Sequence, residues 1–326
     1  MSKPTLYYHV GSHKTGTTAI QQTLLAAAPD LRRQGICWPV LGPSRAHSRL
    51  VRAAYAWGLQ GRVKANWLAA RVRWQSRGMR ATVLSSEKIY RIGYEFFEQA
   101  VQDTPGNRAR RIAVLHRLRD LFSDDFDVRV LLYLRRLDEF AESMFKELLF
   151  RKPYAGRFLF DDFLAEQAML FDYAGQAREL EQHLGPVSLL SYDAARRSGL
   201  IAHFCAQIGA ASPRSADADP RVRRSASNTA ALFLERLAGE RAVSHADRLR
   251  LLDYTLAGGL PDPPGRMRSL WASRDALEAF MQRYRDPALD HLFPAIDWDR
   301  VQFGPLGDAE FQACRAAFDA WRPERV

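Results

Sequence analysis

Leu6-Tyr-Tyr-His-Val-Gly11-Ser-His-Lys14-Thr-Gly16-Thr-Thr-Ala-Ile-Gln21 passes from an apolar run into a short loop with two glycines and one lysine, then into a helical pattern. The order strand, glycine-bearing loop, helix opens a parallel α/β sheet. It also predicts an anion cradle. The first N–H groups of a helix have no intrahelical acceptor and point outward at its positive end, and a lysine beside them adds a full charge. The loop is not a Walker A sequence, which needs glycine, four residues, then Gly-Lys-Ser/Thr. Here Lys14 precedes Gly16, and Thr17 stands where the Walker lysine would be.

Three further strand-like runs follow the first, so that strands are expected at 5–10, 81–85, 128–134 and 187–191. Helical patterns are expected between them at 17–28, about 50–57, 64–77, 108–122, 137–150, 171–184 and 200–208. Strand alternating with helix implies an α/β fold with a parallel sheet covered on both faces, whose ligands sit outside the carboxyl ends of the strands. Those ends carry the polar groups: the Lys14 loop, Ser85-Ser86-Glu87, and Arg135-Arg136. Beyond residue 209 the character changes. Segments 211–228 and 258–266 read as long loops, and helices are expected at 229–238, 245–256, 272–283 and 308–321. The expectation is a single domain with its core at about 4–210 and a helical extension at about 227–326.

At 326 residues the chain can bury a sizeable core, and its 47% hydrophobic and 26% charged residues are ordinary for a globular protein. The net charge of +10 suits polyanionic ligands, although no single basic block stands out and no nucleic-acid-binding motif is present. Cys37, Cys205 and Cys314 are far apart and read as buried thiols rather than zinc ligands. No apolar run has the length of a membrane span, and Lys3-Pro4 leads directly into the first strand. A cytoplasmic soluble protein is therefore expected, with peripheral membrane contact left open.

Lys14-Thr-Gly16-Thr17-Thr18 resembles the 5′-phosphosulfate loop of sulfotransferases that use 3′-phosphoadenosine 5′-phosphosulfate (PAPS). The wider run 9–21 is similar to the bacterial branch of that family, which acts on glycans and lipids. In Leu131-Leu-Tyr-Leu-Arg135-Arg-Leu-Asp-Glu-Phe-Ala-Glu-Ser143, an arginine at a strand end is followed eight residues later by a serine. That run resembles the family's 3′-phosphate site, with Arg135 rather than Arg136 in the family position. Arg223-Arg-Ser-Ala-Ser-Asn228 is similar to a basic Asn/Ser-rich loop that closes over the nucleotide. Its Ser227 or Asn228 also reads as an N-cap. Residues 280–289 look like a C-terminal helical signature of the branch, with Asp286 where asparagine is commoner. The glycine-bearing adenine loop of animal enzymes is not visible.

The resemblance implies a P-loop-like three-layer sandwich, PAPS as donor, adenosine 3′,5′-bisphosphate as product, no metal, and a hydroxyl or amine of a glycan or lipid as acceptor. It assigns the 5′-phosphosulfate to Gly11, His13, Lys14, Thr15, Gly16, Thr17 and Thr18, the 3′-phosphate to Arg135 and Ser143, and a nucleotide contact to Arg223. Sulfuryl transfer, like phosphoryl transfer, is mostly positioning plus electrostatics, and Lys14 would neutralise the leaving group. A base for the acceptor hydroxyl is expected at Glu87 or His47, and position does not choose between them. His9 reads as a structural partner inside its strand. Two competing readings are a P-loop nucleotide kinase or NTPase, disfavoured by the place of Lys14, and a non-enzymatic polyanion-binding protein.

Overall fold

The structure, a computed structural model, describes residues 2–12, 14–42, 47–56, 58–92, 104–151, 158–213 and 226–321. The chain opens with β1 (Thr5–Gly11), α1 (Thr17–Ala26), α2 (Ala28–Arg33), β2 (Ile36–Cys37), α3 (Ser48–Tyr55), α4 (Leu59–Gln75) and β3 (Ala81–Ser85). It continues through α5 (Lys88–Arg91), α6 (Pro105–Asp120), β4 (Asp127–Leu134), α7 (Leu137–Arg151), α8 (Phe160–Glu166), α9 (Tyr173–His183) and β5 (Val187–Ser191). Then come α10 (Tyr192–Ser198), α11 (Leu200–Gln207), α12 (Asn228–Glu240), α13 (His245–Leu256), β6 (Met267–Arg268), α14 (Arg274–Tyr284), β7 (Val301–Gln302) and α15 (Asp308–Ala320). Two compact units share these elements. One takes Met1–Arg135, Asp172–Val222 and Asp286–Phe293, and the other takes the remainder.

The first unit is α/β. Its five strands form a sheet in the order β2-β3-β1-β4-β5, and every pairing is parallel. The strands read from sequence are all present. The added strand β2 has only two residues, too short for any hydrophobic period to reveal. Both faces are covered. Tyr7 and His9 look toward α1, α2 and α11, where Ile20, Leu24, Leu31, Phe204 and Ile208 form a core with Val83, Leu131 and Tyr133. Tyr8 looks the other way and donates its hydroxyl to the Leu118 carbonyl on α6, 2.9 Å away. Strands buried on both faces become near-continuous apolar runs, as in β3, where all five residues are buried. The expected helix 17–28 is two helices here. Pro29 lacks the N–H that a continuing helix would need, so α1 stops and α2 restarts with that proline in its first turn.

The second unit is mostly helical. Phe145, Phe160, Phe163, Phe171, Trp271 and Phe280 pack with ring centroids 4.6–6.2 Å apart. Half-buried Glu142 on α7 accepts hydrogen bonds from Asn228 Nδ2, Ser269 Oγ and the Leu270 N–H at 2.7, 2.9 and 2.9 Å. Ser227 caps α12 by accepting from the Ala230 N–H. All three cysteines are buried and unpaired. No helix among the described residues is long and apolar enough to cross a membrane.

One buried cation organises the segment after β3. Arg111 on α6 is fully buried and donates to the carbonyls of Ile89, Tyr90 and Ile92 at 3.3, 2.9 and 3.1 Å. Its Nε meets Glu179 on α9 at 2.7 Å, and its remaining nitrogen reaches Gln176. Removing this guanidinium takes the buried donor from three carbonyls and from one Glu179 oxygen, leaving that carboxylate only the more exposed Arg108 at 3.1 Å. Arg111→Met should therefore lower the unfolding free energy by about 3–5 kcal/mol, read from urea denaturation at neutral pH.

Candidate active site at the carboxyl ends of three strands

Because β1 lies between β3 and β4, the loops that leave these strands emerge side by side. The β1 connection goes to α1 on one face of the sheet and the β3 connection, through α5, to α6 on the other, and in open α/β sheets such a change of face marks the place where ligands bind.

The loop after β1 is tied down first. Ser12 donates both its N–H and its hydroxyl to the Tyr133 carbonyl on β4, at 3.3 and 2.9 Å. The chain then turns through two left-handed residues, Lys14 at φ 65° and Gly16 at φ 68°. Gly16 requires the absence of a side chain twice over. Its backbone is left-handed, and a Cβ would lie 2.3 Å from Leu200 Cδ2 and 3.3 Å from the Tyr192 ring. Gly11 is constrained by contact alone, since a Cβ there would sit 2.2 Å from Thr17 Oγ1 and 3.1 Å from Thr15 Oγ1. The two threonine hydroxyls are 3.5 Å apart. α1 starts at Thr17 with no side-chain cap and no acidic residue in its first turn. The positive end of that helix, Lys14 and the hydroxyls of Thr15, Thr17 and Thr18 thus belong to one loop suited to an anion.

Glu87 is the second residue after β3 and stands half-buried at the N-cap position of α5, the segment that Arg111 holds. His47 is close by in the fold but differently employed. Its Nδ1 accepts the Ser85 N–H at 2.9 Å, so the ring proton is on Nε2, which donates to the Pro39 carbonyl at 2.8 Å. The His47 N–H in turn donates to the Ser85 carbonyl at 2.9 Å. Burial pushes its pKa down to about 4. His9 behaves likewise. Its Nδ1 shares a hydrogen bond with Ser85 Oγ at 2.9 Å, Gln21 Nε2 donates to the same oxygen at 3.0 Å, and burial lowers the ring pKa to about 3.

Arg135 ends β4 on the other side of β1. Its guanidinium carbon is 5.7 Å above the Tyr192 ring, and its carbonyl accepts the Tyr173 hydroxyl at 2.9 Å. Burial pushes the Tyr173 phenol above its usual range, partly opposed by a hydrogen bond with Ser12 and by the nearby Arg135 charge. Tyr192 therefore adjoins both Gly16 and the Arg135 side chain and links the first loop to the β4 terminus. Neither Tyr192 nor Tyr173 was expected from sequence. Tyr192-Asp193 follows β5 directly, so the end of the fourth expected strand carries the sequence signal for Tyr192.

The structure thus brings Gly11, Lys14, Thr15, Gly16, Thr17, Thr18, Glu87, His47 and Arg135 to one edge of one unit. Ser143 is buried on α7 in the second unit. His13 and Arg223 lie outside the described residues. Arg136 is occupied locally in a bidentate pair with Asp138 at 2.7 and 2.9 Å. No protein family, no curated protein and no solved structure matches this chain.

Both buried histidines are held neutral, so between about pH 6.5 and 4 the unfolded chain binds more protons than the folded one. Stability should fall as pH falls through that window. His47, lowered from 6.5 to about 4, accounts for about 3 kcal/mol of this loss. Urea unfolding across this range should be steeply pH-dependent in the parent protein and flatter in His47→Gln.

Proposed function

We propose that this chain is a PAPS-dependent sulfotransferase with a P-loop-like fold, acting in the cytoplasm on a hydroxyl or amine of a glycan or lipid. The observation that carries the reading is the β1–α1 loop. It is a left-handed turn with Lys14, threonine hydroxyls and an uncapped helix start, placed beside Arg135 through Tyr192. Strand order 2-3-1-4-5 with that loop after the central strand supports the finer fold assignment.

The residues present fit a nucleotide with an anionic group at each end, because the β1–α1 loop offers Lys14, threonine hydroxyls and an uncapped helix start, and Arg135 supplies a second cation across Tyr192. When bound, PAPS supplies the sulfuryl group, and adenosine 3′,5′-bisphosphate is the product. Lys14, the Thr17 and Thr18 hydroxyls and the loop N–H groups would hold the 5′-phosphosulfate end, with Lys14 neutralising charge at the leaving oxygen. Arg135 would grip the 3′-phosphate with its planar fork. Glu87 would take the acceptor proton. What favours Glu87 over His47 is that both His47 ring nitrogens are already engaged, one as acceptor and one as donor. His47 then serves to hold Ser85, and through it the start of the Ser86-Glu87 segment.

Calorimetry with adenosine 3′,5′-bisphosphate, ATP and AMP tests the reading. The bisphosphate should bind preferentially, and a preference for ATP, or no binding, would overturn it in favour of a kinase or a non-enzymatic protein. Arg135→Ala should weaken the bisphosphate by about tenfold or more while leaving AMP nearly unchanged. Lys14→Ala should keep its thermal melt and lose transfer.

A further inference from the structure

Helix α4 is apolar on two opposite sides. Gly61, Ala65, Leu68, Ala69 and Val72 are buried. Leu59, Val63, Trp67, Ala70 and Trp74 recur at intervals of four, four, three and four, which is one helical face, and that face points to solvent. The exposure is large: 81% for Leu59, 62% for Val63, 56% for Trp67 and 65% for Trp74. Isolated surface leucines are ordinary, but four large apolar side chains along one face of a 17-residue helix, about 25 Å long, form a continuous patch.

Cations border the patch. Lys64 and Arg71 lie along one side and Arg62 along the other, and Arg71 leans over the Trp67 ring at 5.7 Å. Arg73, which pairs with Asp125 at 2.5 Å, is already compensated. The surrounding sequence is strongly biased: residues 31–86 contain eleven Lys and Arg and no Asp or Glu. Within the helix no carboxylate opposes an anionic partner.

We propose that this face of α4 docks on an anionic phospholipid surface. Trp67 and Trp74 would lie at the headgroup level with Leu59 and Val63 in the acyl boundary, and the flanking Lys and Arg would reach lipid phosphates with their stems along the apolar face. The aliphatic half of the stripe selects lipid over an acidic polysaccharide. A polysaccharide would use the tryptophans and arginines but has nothing to bury Leu59 and Val63 against. The stripe contains none of the residues assigned to the nucleotide, so the proposal stands or falls independently of the proposed activity.

Vesicle flotation of the whole protein tests it, using phosphatidylcholine alone and phosphatidylcholine mixed with phosphatidylglycerol. Binding should require phosphatidylglycerol, weaken with salt, and shift tryptophan emission to the blue. Trp67→Ser/Trp74→Ser and Lys64→Glu/Arg71→Glu should each lose about tenfold or more of vesicle affinity, with unchanged melting temperature and unchanged binding of adenosine 3′,5′-bisphosphate. Failure to bind mixed vesicles, or full binding by the tryptophan variant, would overturn the proposal. So would a dimer in sedimentation velocity, or heparin retention, that the tryptophan variant abolishes while the parent protein ignores vesicles.

Discussion

β1 is paired in parallel on both edges and covered on both faces, and the rest of the first unit depends on this placement. A strand in that position has no solvent-facing edge and can present functional groups only where it ends. Parallel pairing with β3 and β4 brings three strand ends to the same edge of the sheet, so the Lys14 loop, Ser85-Ser86-Glu87 and Arg135 become neighbours although they are far apart in sequence. The register sets the depth of each: His9 lies opposite Ser85 on one side, and Gly11 opposite Tyr133 on the other.

The loop at that edge is held in a backbone that an isolated chain would avoid. Lys14 is left-handed without being glycine, which costs on the order of 1 kcal/mol. The conformation persists because its flanks are over-determined. Ser12 is bound twice to Tyr133, the Thr15 and Thr17 hydroxyls fill the space a side chain at Gly11 would need, and Leu200 and Tyr192 do the same at Gly16. Strain concentrated at one lysine, beside a helix start without a side-chain cap, is the arrangement expected where charge must be received rather than screened by the protein itself.

Three buried polar residues tie the neighbouring segments together. His47 bridges the Pro39 carbonyl and the Ser85 N–H, and His9 completes the Ser85 knot from the neighbouring strand. Arg111 gathers three carbonyls and a carboxylate in the protein interior. In each case the burial that makes the group costly to charge or to leave unpaired is what makes it an effective tie, because the partners have no water to replace it. Together these ties fix the short segment that carries Glu87.

The sequence by itself determined the α/β class, four of the five strands of the main sheet, the loop with Lys14 between two glycines, and the polar residues at three strand ends. Those features are local: hydrophobic period, glycine positions and strand–loop–helix order are written in neighbouring residues. The tertiary structure alone decided the strand order, the union of Tyr192 with Gly16 and Arg135, the structural employment of His47, and the membership of Ser143 in the second unit. It also decided that the apolar stripe from Leu59 to Trp74 faces outward, because a helix with two apolar sides can bury either, and only packing against the rest of the unit selects one.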